Sequence, residues 1–275
     1  MANFKAFKHV HQIQSTSPLS DDEIRRFAPS IFGGQAHVSR TERYTYIPTS
    51  EILAGLRKEG FQPFFACQSV VRDQTRREYT RHMLRLRHEA KIGVNEANEI
   101  VLGNAHDGSS AYELFAGVLN FVCTNGLVVG DCVDEVRIPH KGDVMGRVIE
   151  GVYTVLDTFD RVDESKDGMK AITLSSDEQR LFARSALQLR YDPADGPAPI
   201  TETQVLEPRR HADSGPDLWS VFNRTEENLC RGGLTGQRPG HRRYTTRGVK
   251  AIDKNVALNR ALWTLADGMR KLKGH

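Results

Sequence analysis

The stretch EIVLGNAHDGSSAYELFAGVLNFVCTNGLVVG, residues 99–130, constrains the fold more than any other part of the chain. It opens on Ile100, Val101 and Leu102, a short β-rich apolar run, and turns at His106-Asp107-Gly108-Ser109. Asp-Gly suits a tight hairpin, because glycine takes positive φ without a Cβ clash and aspartate tolerates it better than most residues. Beyond the turn, Leu114, Ala116, Val118, Asn120 and Val122 alternate with Phe115, Gly117, Leu119, Phe121 and Cys123, and both sets are largely apolar. A strand of that kind is buried on both faces, so it reads as the spine of a sheet. Thr124-Asn125-Gly126 is a second turn signal before Leu127-Val128-Val129 resumes.

On either side the chain alternates strand and helix signals. Residues 1–20 are polar with scattered aromatics and are expected to be poorly ordered. Ser20 with Glu23 forms a capping-box signature for a helix near 21–28, which stops at Pro29. Tyr44–Ile47 reads as a short strand, Thr49-Ser50-Glu51 starts a helix that ends by Gly60, and FQPFFACQSVV (61–71) reads as a strand. In Tyr79–His88, Arg81, Met83, Arg85 and Arg87 share one strand face, and Thr80, His82, Leu84, Leu86 and His88 the other. A helix is the alternative, since Arg77, Arg81 and Arg85 fall four apart. After a strand-like 131–137, apolar residues from Val144 to Phe159 recur at helical spacing, with a polar break expected at 163–167. Ser175 and Glu178 cap another helix, ended at Asp192-Pro193. Helices at 217–229 and from 253 onward follow. The expectation is an α+β fold: a twisted antiparallel sheet near 44–137 covered by helices from 140 onward. The division expected is 1–20 poorly ordered, 21–191 core domain, 192–216 extended loop or linker, and 217–275 C-terminal helical segment.

Three separated motifs carry a resemblance. They are His106-Asp107-Gly108-Ser109, Val122-Cys123-Thr124-Asn125-Gly126-Leu127, and Ile138 with His140 through Val148. In this order they resemble the family known as domain of unknown function 932, from phages, plasmids and genomic islands. The likeness extends from about residue 28 to about residue 267, and Asn223, Glu226, Arg231, Gly232, Asn259 and Trp263 fit the family's C-terminal pattern. The resemblance implies a mobile-element context and transfers no activity.

Composition narrows the partners. A net charge of +3 is compatible with nucleic-acid binding only if the positive charges cluster. They do so twice. Arg72, Arg76, Arg77, Arg81, Arg85 and Arg87 face only Asp73 and Glu78 locally, and Arg238, Arg242, Arg243, Arg247 and Lys250 have no acid among them. Tyr79 and Tyr244 lie within these runs and could stack on unpaired bases. Cys67, Cys123, Cys132 and Cys230 lie far apart without a CxxC pair, as for reduced thiols in a cytoplasmic protein. The N-terminus lacks a signal-peptide core and no run is long enough to span a membrane.

Catalytic readings are thin. His106-Asp107 would need further ligands, with His82, His88 and His140 as the candidates, to form a metal-dependent phosphohydrolase site. Cys123 lies in a buried-looking strand, where a thiol is poorly activated. Arg231–Gly236 is glycine-rich but lacks the lysine and preceding strand of a phosphate loop. No cofactor or metal is expected, and an enzyme is disfavoured. The leading expectation is a nucleic-acid-binding protein, in its specific form binding or annealing single-stranded DNA in recombination as a homo-oligomer. A host-factor-binding protein and a metal-dependent nuclease are the alternatives.

Overall fold

The computed structural model describes residues 10–33, 46–71, 73–89, 96–107, 110–120, 125–128, 136–238, 240 and 242–274. It divides into two units, the first Met1–Leu119 with Val133–Phe159, the second Asn120–Cys132 with Asp160–His275.

The first unit carries strands β1 (Val10–Gln14), β2 (Phe61–Ser69), β3 (His82–His88), β4 (Glu96–Asn104) and β5 (Tyr112–Asn120). β6 (Asn125–Val128) belongs to the second unit, and β7 (Val136–Ile138) returns to the first. The sheet runs β1-β2-β3-β4-β5, with β7 antiparallel to β5. The alternation read in β3 is the one observed. His82 pairs Asn104, Leu84 pairs Leu102 and Leu86 pairs Ile100 on one face, while Arg85 pairs Val101 and Met83 pairs Gly103 on the other.

Helices close the first face. α1 (Asp21–Phe27) starts with the expected capping box, Ser20 accepting from the Glu23 N–H. α2 (Thr49–Lys58) buries Ile52, Leu53 and Leu56, and α3 (Val144–Leu156) buries Val144, Val148, Val152 and Val155. Gly151 lets α3 approach closely, since a Cβ there would lie 2.7 Å from Leu114 Cδ1 and 2.9 Å from Val136 Cγ1. β1 corrects the expectation of a poorly ordered start: Val10–Gln14 pairs Phe65–Ser69 along the edge of the sheet. The expected strand at Tyr44–Ile47 lies partly outside the described residues, and Tyr46 and Ile47 are in no strand. Asn125 and Gly126, read as a turn, begin β6.

The second unit holds α4 (Phe159–Ala171), α5 (Ser176–Arg190), α6 (Glu202–Leu206), α7 (Leu218–Arg231), the hairpin β8 (Thr235–Arg238) and β9 (Arg242–Thr245), and α8 (Ile252–Leu272). Its core is α7, wedged among α5, α6 and α8. Trp219, Phe222 and Trp263 form its aromatic centre, with ring centroids 5.5–6.2 Å apart. The polar break expected at 163–167 is helical in α4. Val162, Ser165, Lys166 and Met169 are buried at helical spacing, and Lys166 pairs with Asp163 at 2.9 Å. The stretch 192–216, read as a loop or linker, holds α6 and two short 3-10 turns, with Val205 buried. α5 begins with the expected capping box at Ser175 and Glu178.

Candidate nucleic-acid interface

The two basic segments belong to different units and have different surroundings. In the first unit Asp73 caps a 3-10 turn, Gln74–Tyr79. Hydrogen bonds from Thr75 hold the Asp73 carboxyl below its usual range. Arg76 on this turn is exposed, while Arg77 and Tyr79 are half-buried. Arg72 lies outside the described residues.

Beyond the turn the arginines point to protein. Arg87 Nε lies 2.7 Å and Arg85 Nη1 3.3 Å from the two oxygens of Glu99, and these three residues are 2%, 4% and 1% exposed. The Arg87 guanidinium also stacks on Phe64 at 4.1 Å. Arg81 bonds Glu113, which takes Arg137 at 3.0 Å on its other oxygen. Glu113 follows the register, since on β5 it faces the side that Arg81 occupies, past the side-chain-free Gly103. The expectation that Arg81, Arg85 and Arg87 track phosphates is therefore corrected. Burial strengthens their attraction to Glu99 and Glu113, and removes water and ligand alike.

The opposite face of the same sheet ends in a polar cluster. His82 Nδ1 donates to the Thr80 carbonyl at 3.1 Å, which leaves Nε2 to accept from the Thr49 hydroxyl at 2.8 Å. Thr49 Oγ1 in turn accepts from Asn104 at 3.1 Å, and lies 3.2 Å from Tyr112 and 3.4 Å from His106. His140 reaches the Asn104 carbonyl oxygen at 3.0 Å. Burial pushes the His82 imidazole well below its ordinary pKa. Burial and the neighbouring His140 push His106 down to about 4, against Asp107 and the Ser30 carbonyl. So His82, His106 and His140, candidates for the disfavoured metal site, lie in one cluster joined through Thr49 and Asn104. His88 stands apart, against Phe61. Among the described residues no three His, Cys, Asp or Glu side chains are arranged to hold a metal ion. Cys67 is a buried free thiol whose pKa burial pushes up to about 12; Cys123 lies outside the described residues.

In the second unit the basic segment forms a hairpin that the sequence did not reveal as one. Arg238 pairs Arg242, Gln237 pairs Arg243, Gly236 pairs Tyr244 and Thr235 pairs Thr245. Gly240, at φ +81°, sits in the turn, the role that the Pro239-Gly240 dipeptide signals. The base of the hairpin is fastened. The Gly233 and Thr246 amides bond across it at 2.8 Å, the Val249 amide bonds Cys230 at 2.8 Å, and the Gln237 amide bonds the Pro199 carbonyl at 2.8 Å. Gly232 is at φ +68°, and a Cβ there would meet the Arg247 backbone at 2.6 Å. Arg238, Arg242, Arg243, Arg247 and Lys250 are all exposed, and none has an ion-pair partner among the described residues. No Asp or Glu occurs between Asn228 and Ile252. Tyr244 is half-buried under the Arg238 guanidinium, 4.0 Å from its ring centre.

α7 is legible in sequence as a helix, but the burial of its polar residues is not. Its Asn223, Arg224, Thr225, Glu226, Glu227 and Asn228 are all buried. Glu227 pairs with Arg210 and, at 2.9 Å, with Arg231, and Arg224 bonds Gln179 at 2.7 Å. Arg231 sits four residues on in the same helix, but Arg210 and Gln179 lie outside α7, so no local pattern announces the whole network.

The sequence profile described as "Domain of unknown function (DUF932)" matches residues 36–263. The chain is 48% identical over 263 residues to the UPF0380 protein YafZ of Escherichia coli (strain K12), covering 96% of each. It is likewise 48% identical over 261 residues to the UPF0380 protein YfjQ of the same organism, covering 95% of each. No solved structure matches the chain. Among the described residues no helix is long and apolar enough to cross a membrane.

Proposed function

Because the chain belongs to the DUF932 family, and its relatives' names state no activity, we propose its function from its own surface: it binds nucleic acid through the β8–β9 hairpin. One observation carries this reading. Arg238 and Arg242 face each other across the hairpin on a segment with no carboxylate. Like charges directly opposite destabilise a strand pair, and a bound phosphate removes that penalty. Arginine suits the role because its planar fork bridges phosphate oxygens. Arg242, Arg243, Arg247 and Lys250 extend the charge along the segment, and the fastened base of the hairpin holds them in place.

Fluorescence anisotropy with a labelled oligonucleotide at about 50 mM salt tests the reading. If all five cations touch phosphates of a single strand, the logarithm of affinity falls against the logarithm of salt with a slope of about −3.5. Replacing Arg242 and Arg243 with Ala lowers affinity by about tenfold or more and flattens that slope by about 1.4. Absence of binding at low salt, or binding that the double replacement leaves intact, defeats the proposal. Arg76→Ala is the comparison for the first unit's exposed turn.

A further inference from the structure

We propose that Tyr191, Tyr244, Arg190 and Arg238 form a stacking cradle for unpaired bases, so that the ligand class of the hairpin is single-stranded nucleic acid; this rests on the nucleic-acid reading above. Tyr191 follows the last residue of α5 in extended conformation, φ −127° and ψ 109°. Its ring is half-buried and carries the Arg190 guanidinium 5.4 Å from its centre. Arg190 also donates to the Arg247 carbonyl at 3.1 Å, which ties the end of α5 to the chain just beyond β9. On β9, Tyr244 carries Arg238 at 4.0 Å. Gly236, the cross-strand partner of Tyr244, has no side chain to crowd that ring. Burial raises the Tyr191 phenol, the Arg190 charge opposes this, Tyr244 adds to it, and Arg238 opposes it. Tyr191 thus lies within electrostatic reach of the other three side chains.

The chemistry of such a cluster selects its ligand. Two rings and two guanidinium planes offer flat, polarisable, positively charged surfaces, on which a base stacks whatever its identity. A base paired within a duplex keeps both faces against its neighbours and cannot enter. Phosphate contacts alone make no such distinction, because both forms of nucleic acid carry the same backbone charge. Tyr191 lies outside the basic run, in a helix end that reads in sequence only as a stop.

The test compares three labelled probes of equal length, about 12 nucleotides: oligodeoxythymidine, the same backbone without bases, and a duplex. The unaltered protein is expected to bind oligodeoxythymidine about tenfold more tightly than the abasic strand. Tyr191→Leu with Tyr244→Leu removes that preference and leaves abasic binding within about twofold, whereas Tyr191→Phe with Tyr244→Phe retains it. Equal affinity of the unaltered protein for the abasic strand and oligodeoxythymidine overturns the cradle while leaving the phosphate reading intact. Absence of binding to any probe overturns both. If the leucine variant fails to fold, the abasic comparison on the unaltered protein decides alone.

Discussion

Two arginine-rich stretches of one chain meet opposite ends. In residues 72–88, strands paired around β3 bring Glu99 and Glu113 onto the arginine face, and Arg85 and Arg87 become interior groups. In residues 238–250 the hairpin pairs with itself, arginine against arginine, and among the described residues no carboxylate pairs with these cations. The local density of cationic side chains is alike in the two, so it does not decide between a binding surface and a structural lattice. What decides is whether the fold delivers an anion from elsewhere in the chain. Where it does, burial makes the pair costly to break. Where it does not, the charge stays at the surface.

The largest effect expected of this contrast is on stability. Glu99→Ala leaves Arg85 and Arg87 without their shared carboxylate in the interior, which costs about 3–5 kcal/mol. Urea unfolding followed by circular dichroism measures it. Replacement of Arg242 and Arg243 with Ala, at exposed positions, is expected to stay within about 0.5 kcal/mol of the unaltered protein. A Glu99→Ala variant as stable as the parent would mean that the first lattice is no more structural than the second, and would erase the difference.

Acid gives the next largest effect and sharpens the same contrast. His82 and His106 are held neutral in the folded first unit, His106 with a pKa of about 4. In the unfolded chain both titrate near ~6.5. Below that value the unfolded state binds more protons than the folded one, so stability is complete above pH ~6.5 and is lost as pH falls toward the folded pKa. Each histidine contributes a slope of up to about 1.4 kcal/mol per pH unit in that window. Hydrogen exchange from pH 7 to pH 5 is expected to show falling protection in β3. Oligonucleotide affinity measured on the fraction that remains folded should not fall, because residues 229–251 hold no carboxylate and their one imidazole, His241, can only gain positive charge. Equal protection of β3 at both ends of the range would show that the imidazoles take up protons in the fold as readily as in the unfolded chain.

The parts of this contrast that depend on neighbours in sequence are legible from the residues alone. Ser20 with Glu23 and Ser175 with Glu178 are capping boxes because the reciprocal bonds span three residues. The two-residue alternation of β3 is equally plain, and so is the double burial of β5. Which face of β3 is dry cannot be read locally, because Arg87 and Glu99 are a cross-strand pair 12 residues apart and Arg81 and Glu113 are 32 apart. The β8–β9 hairpin stays hidden since its strands are four residues each and carry charge on both faces, leaving only Pro-Gly as a signal. β1 escapes for a related reason: a short polar edge strand is defined by the partner it joins. The histidine cluster gathers residues from α2, β3, the β4–β5 turn and the approach to α3; the histidines stand out as candidates for one site, but Thr49 and Asn104, which join them, do not.

The smallest expected effect is the most discriminating, because it reverses sign between stability and binding. Arg242 faces Arg238 in the register of the hairpin. Threonine at that position removes the like-charge opposition and adds a residue of high β propensity. Arg242→Thr should therefore raise the stability of the hairpin by a few tenths of a kcal/mol, about 0.2–0.5. The same replacement removes a phosphate contact and weakens oligonucleotide binding, with a salt slope shallower by about 0.7. Hydrogen exchange of the β8 and β9 amides reads the first quantity, and anisotropy across a salt series the second. A structural arginine behaves the other way, its loss lowering stability and leaving affinity alone. An Arg242→Thr hairpin that exchanges faster than the parent would place Arg242 with Arg85 and Arg87, among the residues that hold the fold rather than those that meet a ligand.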